Sequence, residues 1–207
     1  KNTLYNTLNI LSRAIPKRST LPIINCALFT QTNKNLNIRT TDLELSIKIN
    51  CPIKGEEKGS IAIPILKLLE ITTAIPDDII KFSVSDIGKV SITSENGQYT
   101  IMGQSNEEFP VEQLLEEENN IKISGINLKN VIKNTSYAAS KDDLKPVLQG
   151  VLFQIKNNSI VSVATDGHRL VKFEKKDIKT KDYNGSVVVP IKFLQLLNQF
   201  IEEEEEI

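Results

Sequence analysis

The feature that most constrains the fold is that this chain repeats itself. Thr41-Asp42 returns as Thr165-Asp166, an offset of 124 residues. The same offset pairs Leu4 with Leu128, Asn6 with Asn130, Ser12 with Ser136, Ala14 with Ala138, Pro22 with Pro146, Leu28 with Leu152, Phe29 with Phe153 and Asn33 with Asn157. Farther on the offset becomes 126, and Ile61-Ala62-Ile63-Pro64-Ile65 is answered by Val187-Val188-Val189-Pro190-Ile191. The two extra residues fall in the polar stretch 174–185, where a loop absorbs an insertion at small entropic cost. One short match would be chance, whereas collinear matches at one offset mark a duplicated domain.

Each copy reads as a helix, then strands, then a second helix. Leu4, Leu8, Leu11 and Ile15 in the first copy, and Leu128, Val131, Ile132 and Thr135 in the second, recur at helical spacing. Strands are expected at 23–30, 36–40 and 60–63, and at 43–49, where apolar and polar residues alternate strictly. Pro64 is expected to open the second helix, where its missing N–H costs nothing, with Leu66, Leu69 and Thr73 along one face. Three more strands, 80–85, 89–93 and 98–103, follow in the first copy, separated by turn residues. This is an α+β pattern, with helices on one face of antiparallel sheet. In the second copy the strands expected after Ile201 are replaced by the acid run 202–206. That run reads either as a disordered tail or, as the duplication favours, as the counterpart of the turn at Asp77-Asp78 in a domain cut short.

Composition excludes some functions. With 25 Lys+Arg, 26 Asp+Glu and a formal net charge of -1, bulk attraction does not mark a nucleic-acid binder, since such domains often have a pI above about 9. Cys26 and Cys51 form no CxxC pair and there is one histidine, so no zinc site of the usual spacing exists and no metal or cofactor is implied. Two isolated cysteines suit a reducing compartment. No apolar run approaches the ~18 residues of a membrane span.

That one histidine lies in Ala164-Thr165-Asp166-Gly167-His168-Arg169-Leu170. As chemistry, His168 would be a general base oriented by Asp166. No nucleophile elbow, P-loop or dinucleotide fingerprint accompanies it, and no catalytic residue is assigned. The first copy keeps Thr41-Asp42 but continues Leu43-Glu44-Leu45. The shared Thr-Asp is therefore read as structural, a side chain closing a turn onto backbone N–H groups. Gly-His-Arg-Leu belongs to the second copy alone. Its bland reading is a surface turn with a solvated cation, and its functional reading is a wall for a short peptide.

The string from Ala164 to Leu170 resembles the signature of the bacterial sliding clamp family, the β subunit of DNA polymerase III. Arg18-Ser19-Thr20-Leu21-Pro22-Ile23, Thr41-Asp42-Leu43-Glu44, Asn106-Glu107-Glu108-Phe109-Pro110 and Pro146-Val147-Leu148-Gln149-Gly150-Val151-Leu152-Phe153 resemble it too, in order. The resemblance implies tandem clamp domains, 1–118 and 119–207, the latter incomplete at its C-terminus and a third domain absent. Antiparallel sheets would form the outside, with two helices per domain facing a DNA pore. It further implies a non-catalytic processivity factor: a head-to-tail homodimer ring, cytoplasmic and nucleoid-associated. The ring would encircle double-stranded DNA and dock the polymerase III catalytic subunit, the clamp loader and other proteins with a clamp-binding motif, with no membrane partner.

By that resemblance Leu148, Thr165, Gly167, His168, Arg169 and Leu170 would form part of the partner cleft. Arg18, Lys192, Lys141 and Lys145 would face DNA, and Lys67, Tyr99 and Ile101 would belong to the dimer interface. For the lysines the plain alternative is a solvated cation, and for Ile101 an ordinary strand residue. Two other readings compete. A stand-alone nucleic-acid module would need exposed stacking aromatics, yet aromatics are 5% and Phe29, Phe82 and Phe153 fall at core positions. A small hydrolase would need His168.

Overall fold

A computed structural model describes residues 1–16, 19–55, 57–76, 79–111, 122–156, 158–176, 178 and 184–202. The chain divides into two compact units, Lys1–Gln113 and Leu114–Ile207.

In the first unit α1 (Asn2–Leu11) runs into a 3-10 turn, Ser12–Ala14. A second 3-10 turn, Pro22–Asn25, leads to β1 (Cys26–Thr32), β2 (Asn35–Thr41), β3 (Ser46–Pro52) and β4 (Gly59–Pro64). Then come α2 (Ile65–Ala74), β5 (Lys81–Val84), β6 (Lys89–Ser94) and β7 (Gly97–Met102). In the second unit α3 (Gly125–Thr135) and its 3-10 extension Ser136–Ala138 precede a 3-10 turn, Pro146–Gln149. After them come β8 (Gly150–Lys156), β9 (Ser159–Thr165), β10 (Leu170–Lys176), β11 (Gly185–Pro190) and α4 (Ile191–Leu197).

The duplication is carried element by element. β1, β2 and β3 recur as β8, β9 and β10 at the offset of 124, while β4 and the start of α2 recur as β11 and α4 at 126. Both four-stranded sheets are wholly antiparallel, ordered β3-β2-β1-β4 and β10-β9-β8-β11. The first unit adds a separate antiparallel sheet, β5-β6-β7. A bridge from Gln104 to Ala62 ties the chain beyond β7 to β4.

Apolar faces explain why helices and sheets associate. Leu8 and Leu11 of α1 and Ile65 and Leu68 of α2 are fully buried with Ile38, Ile63 and Val90 in one cluster. Leu128, Val131 and Ile132 of α3 are buried in a second cluster with Val151, Phe153, Ile160 and Leu194. Each such side chain contributes about 1.5–3 kcal/mol by leaving water. Phe29 and Phe153 are core residues and Phe82 packs on the core, its ring 6.3 Å from that of Phe29, so these three offer no stacking platform.

Four expectations are corrected. β1 starts at Cys26 rather than residue 23, because Pro22–Asn25 winds into a 3-10 turn with proline at its start. The alternating segment 43–49 is strand only from Ser46, since 42–45 is a turn. Ile15 lies outside α1, after the 3-10 turn that continues it. Pro64 is the last residue of β4 and the cap of α2, whose buried stripe is Ile65, Leu68 and Thr72, leaving Leu66 55% exposed.

Candidate functional site

The Thr-Asp turn is built twice from the same bonds. In the first unit Thr41 Oγ1 accepts from the Leu43 N–H at 3.0 Å, and Asp42 Oδ1 accepts from the N–H groups of Glu44 and Leu45 at 3.2 and 2.7 Å. In the second unit Thr165 Oγ1 accepts from the Gly167 N–H at 3.1 Å, and Asp166 Oδ1 accepts from those of His168 and Arg169, both at 3.0 Å. Three amides per turn are thus satisfied by two side chains before the next strand begins. The shape requires a left-handed residue after Asp: Gly167 has φ 91° and its counterpart Leu43 has φ 79°. Glycine adopts that conformation without steric cost, whereas an L side chain there is strained by about 1–2 kcal/mol. The turn is therefore scaffolding common to both units, as its duplication implied.

What the second unit adds is the placement of Arg169. Its Nε donates to Asp166 Oδ2 at 2.9 Å and its Nη2 to the Tyr137 carbonyl at 2.7 Å, while the guanidinium lies 5.9 Å from the centre of the Tyr137 ring. Backbone N–H bonds from Arg169 and His168, with the Arg169 charge, hold the Asp166 carboxyl below the usual carboxylate range. Asp166 is thus occupied by backbone and by Arg169, and it does not orient the His168 imidazole as a catalytic dyad would.

The predicted cleft residues gather at one end of the sheet. Thr165 closes β9 opposite Leu170, which opens β10 and is 66% exposed. Leu152 pairs with Val163, so Gly150 at the start of β8 lies at the same end as Thr165. Half-buried Leu148 is just outside that end in its 3-10 turn, its carbonyl accepting from the Ser140 N–H at 2.8 Å. Gly167, His168 and Arg169 are exposed on the turn. Tyr137, missed in the sequence, joins them through Arg169. Its only sequence signal is an aromatic residue closing α3 where the first copy has Arg13.

The remaining candidates lie on other elements. Lys141 and Lys145 are exposed on a loop shaped by Asp142, whose Oδ1 accepts from the Leu144 N–H at 3.0 Å and whose carbonyl accepts from the Lys145 N–H at 3.1 Å. Lys192 is exposed in the first turn of α4, and Lys67 is exposed on α2. Tyr99 and Ile101 are half-buried on β7, the outer strand of its sheet, and pack on their own unit's core. The residues β7 exposes are Gln98, Thr100 and Met102. Arg18 lies outside the described residues. Among the described residues no group of three or more His, Cys, Asp or Glu could hold a metal ion, and no helix is long and apolar enough to cross a membrane.

Comparison with known proteins gives this architecture its relatives. Residues 1–114 match the family model of the DNA polymerase III beta subunit, N-terminal domain, and residues 122–207 match the model of its central domain. A beta sliding clamp of Staphylococcus epidermidis is 30% identical over 214 residues, covering 100% of this chain and 56% of that protein. Among solved structures, a DNA polymerase III beta subunit from Eubacterium rectale is 30% identical with a TM-score of 0.88, over 99% of this chain and 56% of that one. The sliding clamp of Pseudomonas aeruginosa bound to griselimycin is 27% identical with a TM-score of 0.85, over 99% of this chain and 56% of that one. The chain thus spans about half the length of the relatives it matches. With family models covering both units in order, on a fold shared with solved clamps, the chain belongs to the DNA polymerase III beta subunit family.

Proposed function

We propose that this chain works as part of a sliding clamp, a non-catalytic processivity factor in DNA replication. In this reading domains 1–118 and 119–207 contribute to a homodimeric ring around duplex DNA. The ring tethers the polymerase, so that each rebinding to template is intramolecular and governed by effective concentration. It acts in the bacterial cytoplasm, at the nucleoid.

The observation that best supports this beyond family membership is where the acids are missing. Among the described residues the α-helices and the 3-10 turns extending α1 and α3 carry Arg13, Lys129, Lys133 and Lys192, besides Lys67, which this reading gives to the dimer interface, against Glu70 as their one acid out of the chain's 26. A chain of net charge -1 has thus cleared negative charge from its helices. That suits helices turned toward a polyanion which must slide and not be gripped. Arg18, Lys192, Lys141 and Lys145 add cations to the DNA-facing side.

Leu148, Thr165, Gly167, His168, Arg169 and Leu170 form one wall of a cleft that docks a short linear segment of the polymerase, the clamp loader and other partners. That wall enters binding preorganised, because Arg169 and the turn backbone are already tied down. Lys67 and β7, with Tyr99 and Ile101, belong to the dimer interface. Primer extension by the cognate polymerase under single-encounter conditions tests this function. Adding the whole protein that carries this chain lengthens the products, and a Leu170→Asp variant does not. Products of unchanged length with the unaltered protein contradict the proposal.

A further inference from the structure

Tyr137 is an aromatic residue that its own unit does not use for packing. It lies in the 3-10 turn Ser136–Ala138, is 57% exposed and is absent from the core cluster of the second unit. Folding of the unit therefore does not account for a ring at this place. The first copy has Arg13 in its position and Leu45 in that of Arg169, and Leu45 is buried. The pairing of ring and guanidinium belongs to the second copy, as Gly-His-Arg-Leu does.

What Tyr137 does hold is Arg169. A long cationic side chain on a surface turn samples many rotamers, and a partner that needs one of them must offset the lost entropy. Arg169 is 56% exposed, yet it is fixed at three points. One is Asp166, which accepts from Nε at 2.9 Å. The other two come from Tyr137. Its carbonyl accepts from Nη2 at 2.7 Å, and its ring centre lies 5.9 Å from the guanidinium, within the reach of about 6 Å for a cation–π contact. That carbonyl stands at the C-terminal end of α3 and its extension. There the last C=O groups lack helical N–H partners and the helix dipole favours a cation. No described residue accepts from Nη1, so Arg169 presents that edge of a planar donor fork beside exposed Leu170.

We propose that Tyr137 is a positioning residue of the partner wall, acting through Arg169. Its carbonyl and ring, with Asp166, set the guanidinium before the partner arrives, and Nη1 then donates to an acceptor oxygen of the docked segment. Tyr137 acts by its ring face and main chain, and its hydroxyl plays no part. The inference rests on the docking reading above and adds to it a residue and the group that residue serves.

The test is a double-mutant cycle on the whole protein, titrated with a fluorescent peptide that carries the clamp-binding segment of its cognate polymerase. Tyr137→Ala weakens binding about threefold, the size of one exposed cation–π contact. Tyr137→Leu, which keeps apolar bulk without a π face, weakens it equally, and Tyr137→Phe restores it. Arg169→Ala weakens binding further, and in that background Tyr137→Ala has no added effect. Unaltered affinity in Tyr137→Ala, full affinity in Tyr137→Leu, or a loss that persists undiminished in the Arg169→Ala background overturns the proposal while the docking reading stands. If the peptide does not bind the unaltered protein, the docking reading itself falls and takes the proposal with it.

Discussion

Gly167→Ala isolates the backbone requirement of the signature turn from everything else there. A Cβ built on Gly167 meets nothing within 4 Å, so the substitution brings no clash and removes no contact. What remains is conformation. At φ 91° an alanine is strained by about 1–2 kcal/mol, offset by about 0.5–1 kcal/mol because glycine loses more chain entropy on folding. The net cost is about 1 kcal/mol, which weakens the turn without preventing it. Leu43 at φ 79° shows that the same bonds hold a bulkier residue in that region. Amide hydrogen exchange reads this directly, because the His168 and Arg169 N–H groups are both held by Asp166. A cost of about 1 kcal/mol speeds their exchange about fivefold, taking tenfold per 1.4 kcal/mol. The amides of Glu44 and Leu45 in the first unit are the internal control and stay unchanged. Gly167→Asn, whose side chain tolerates the left-handed region, speeds exchange less than alanine does. Unchanged exchange at His168 and Arg169, or an equal change at Glu44 and Leu45, would refute the reasoning.

Other consequences follow from the same contacts. Asp166 has its pKa lowered in the fold, so its contribution to the turn is present above the unfolded carboxylate value and is lost as pH falls through the folded one. Acidification below the ordinary carboxylate range therefore releases the His168 and Arg169 amides, seen as faster exchange, and Asp166→Ala abolishes that pH dependence. Leu8→Ala, at a fully buried position of α1, costs the first unit about 2–5 kcal/mol in denaturant unfolding. Arg39→Ala removes a guanidinium that donates to the Pro110 carbonyl and lies 5.0 Å from the centre of the Phe109 ring. It costs about 1.5–3 kcal/mol by the same measurement.

The sequence made the duplication legible because the offset is kept by side chains that matter in both copies: the Thr-Asp pair, the core phenylalanines and the prolines before strand and helix. The structural character of Thr165-Asp166 could be read for the same reason, since the first copy keeps it without Gly-His-Arg. What escaped was local competition. Residues 43–49 alternate as a strand should, but Asp42 captures the next amides and delays the strand to Ser46. The buried stripe of α2 was read one position late, because Leu66, Leu69 and Thr73 fit helical spacing as well as Ile65, Leu68 and Thr72 do. Tyr137 was invisible for a different reason. Its role depends on what stands opposite it in space, the guanidinium of Arg169.

The central claim, a ring that holds DNA by topology and not by grip, has a direct measurement. The whole protein that carries this chain is loaded onto circular duplex DNA by its loader, and retention is followed before and after one cut linearises the circle. The account predicts stable retention on the circle in salt that abolishes ordinary phosphate contacts, and rapid loss from the free ends once the DNA is cut. Equal retention on circular and linear DNA, or loss from both in proportion to salt, would contradict it.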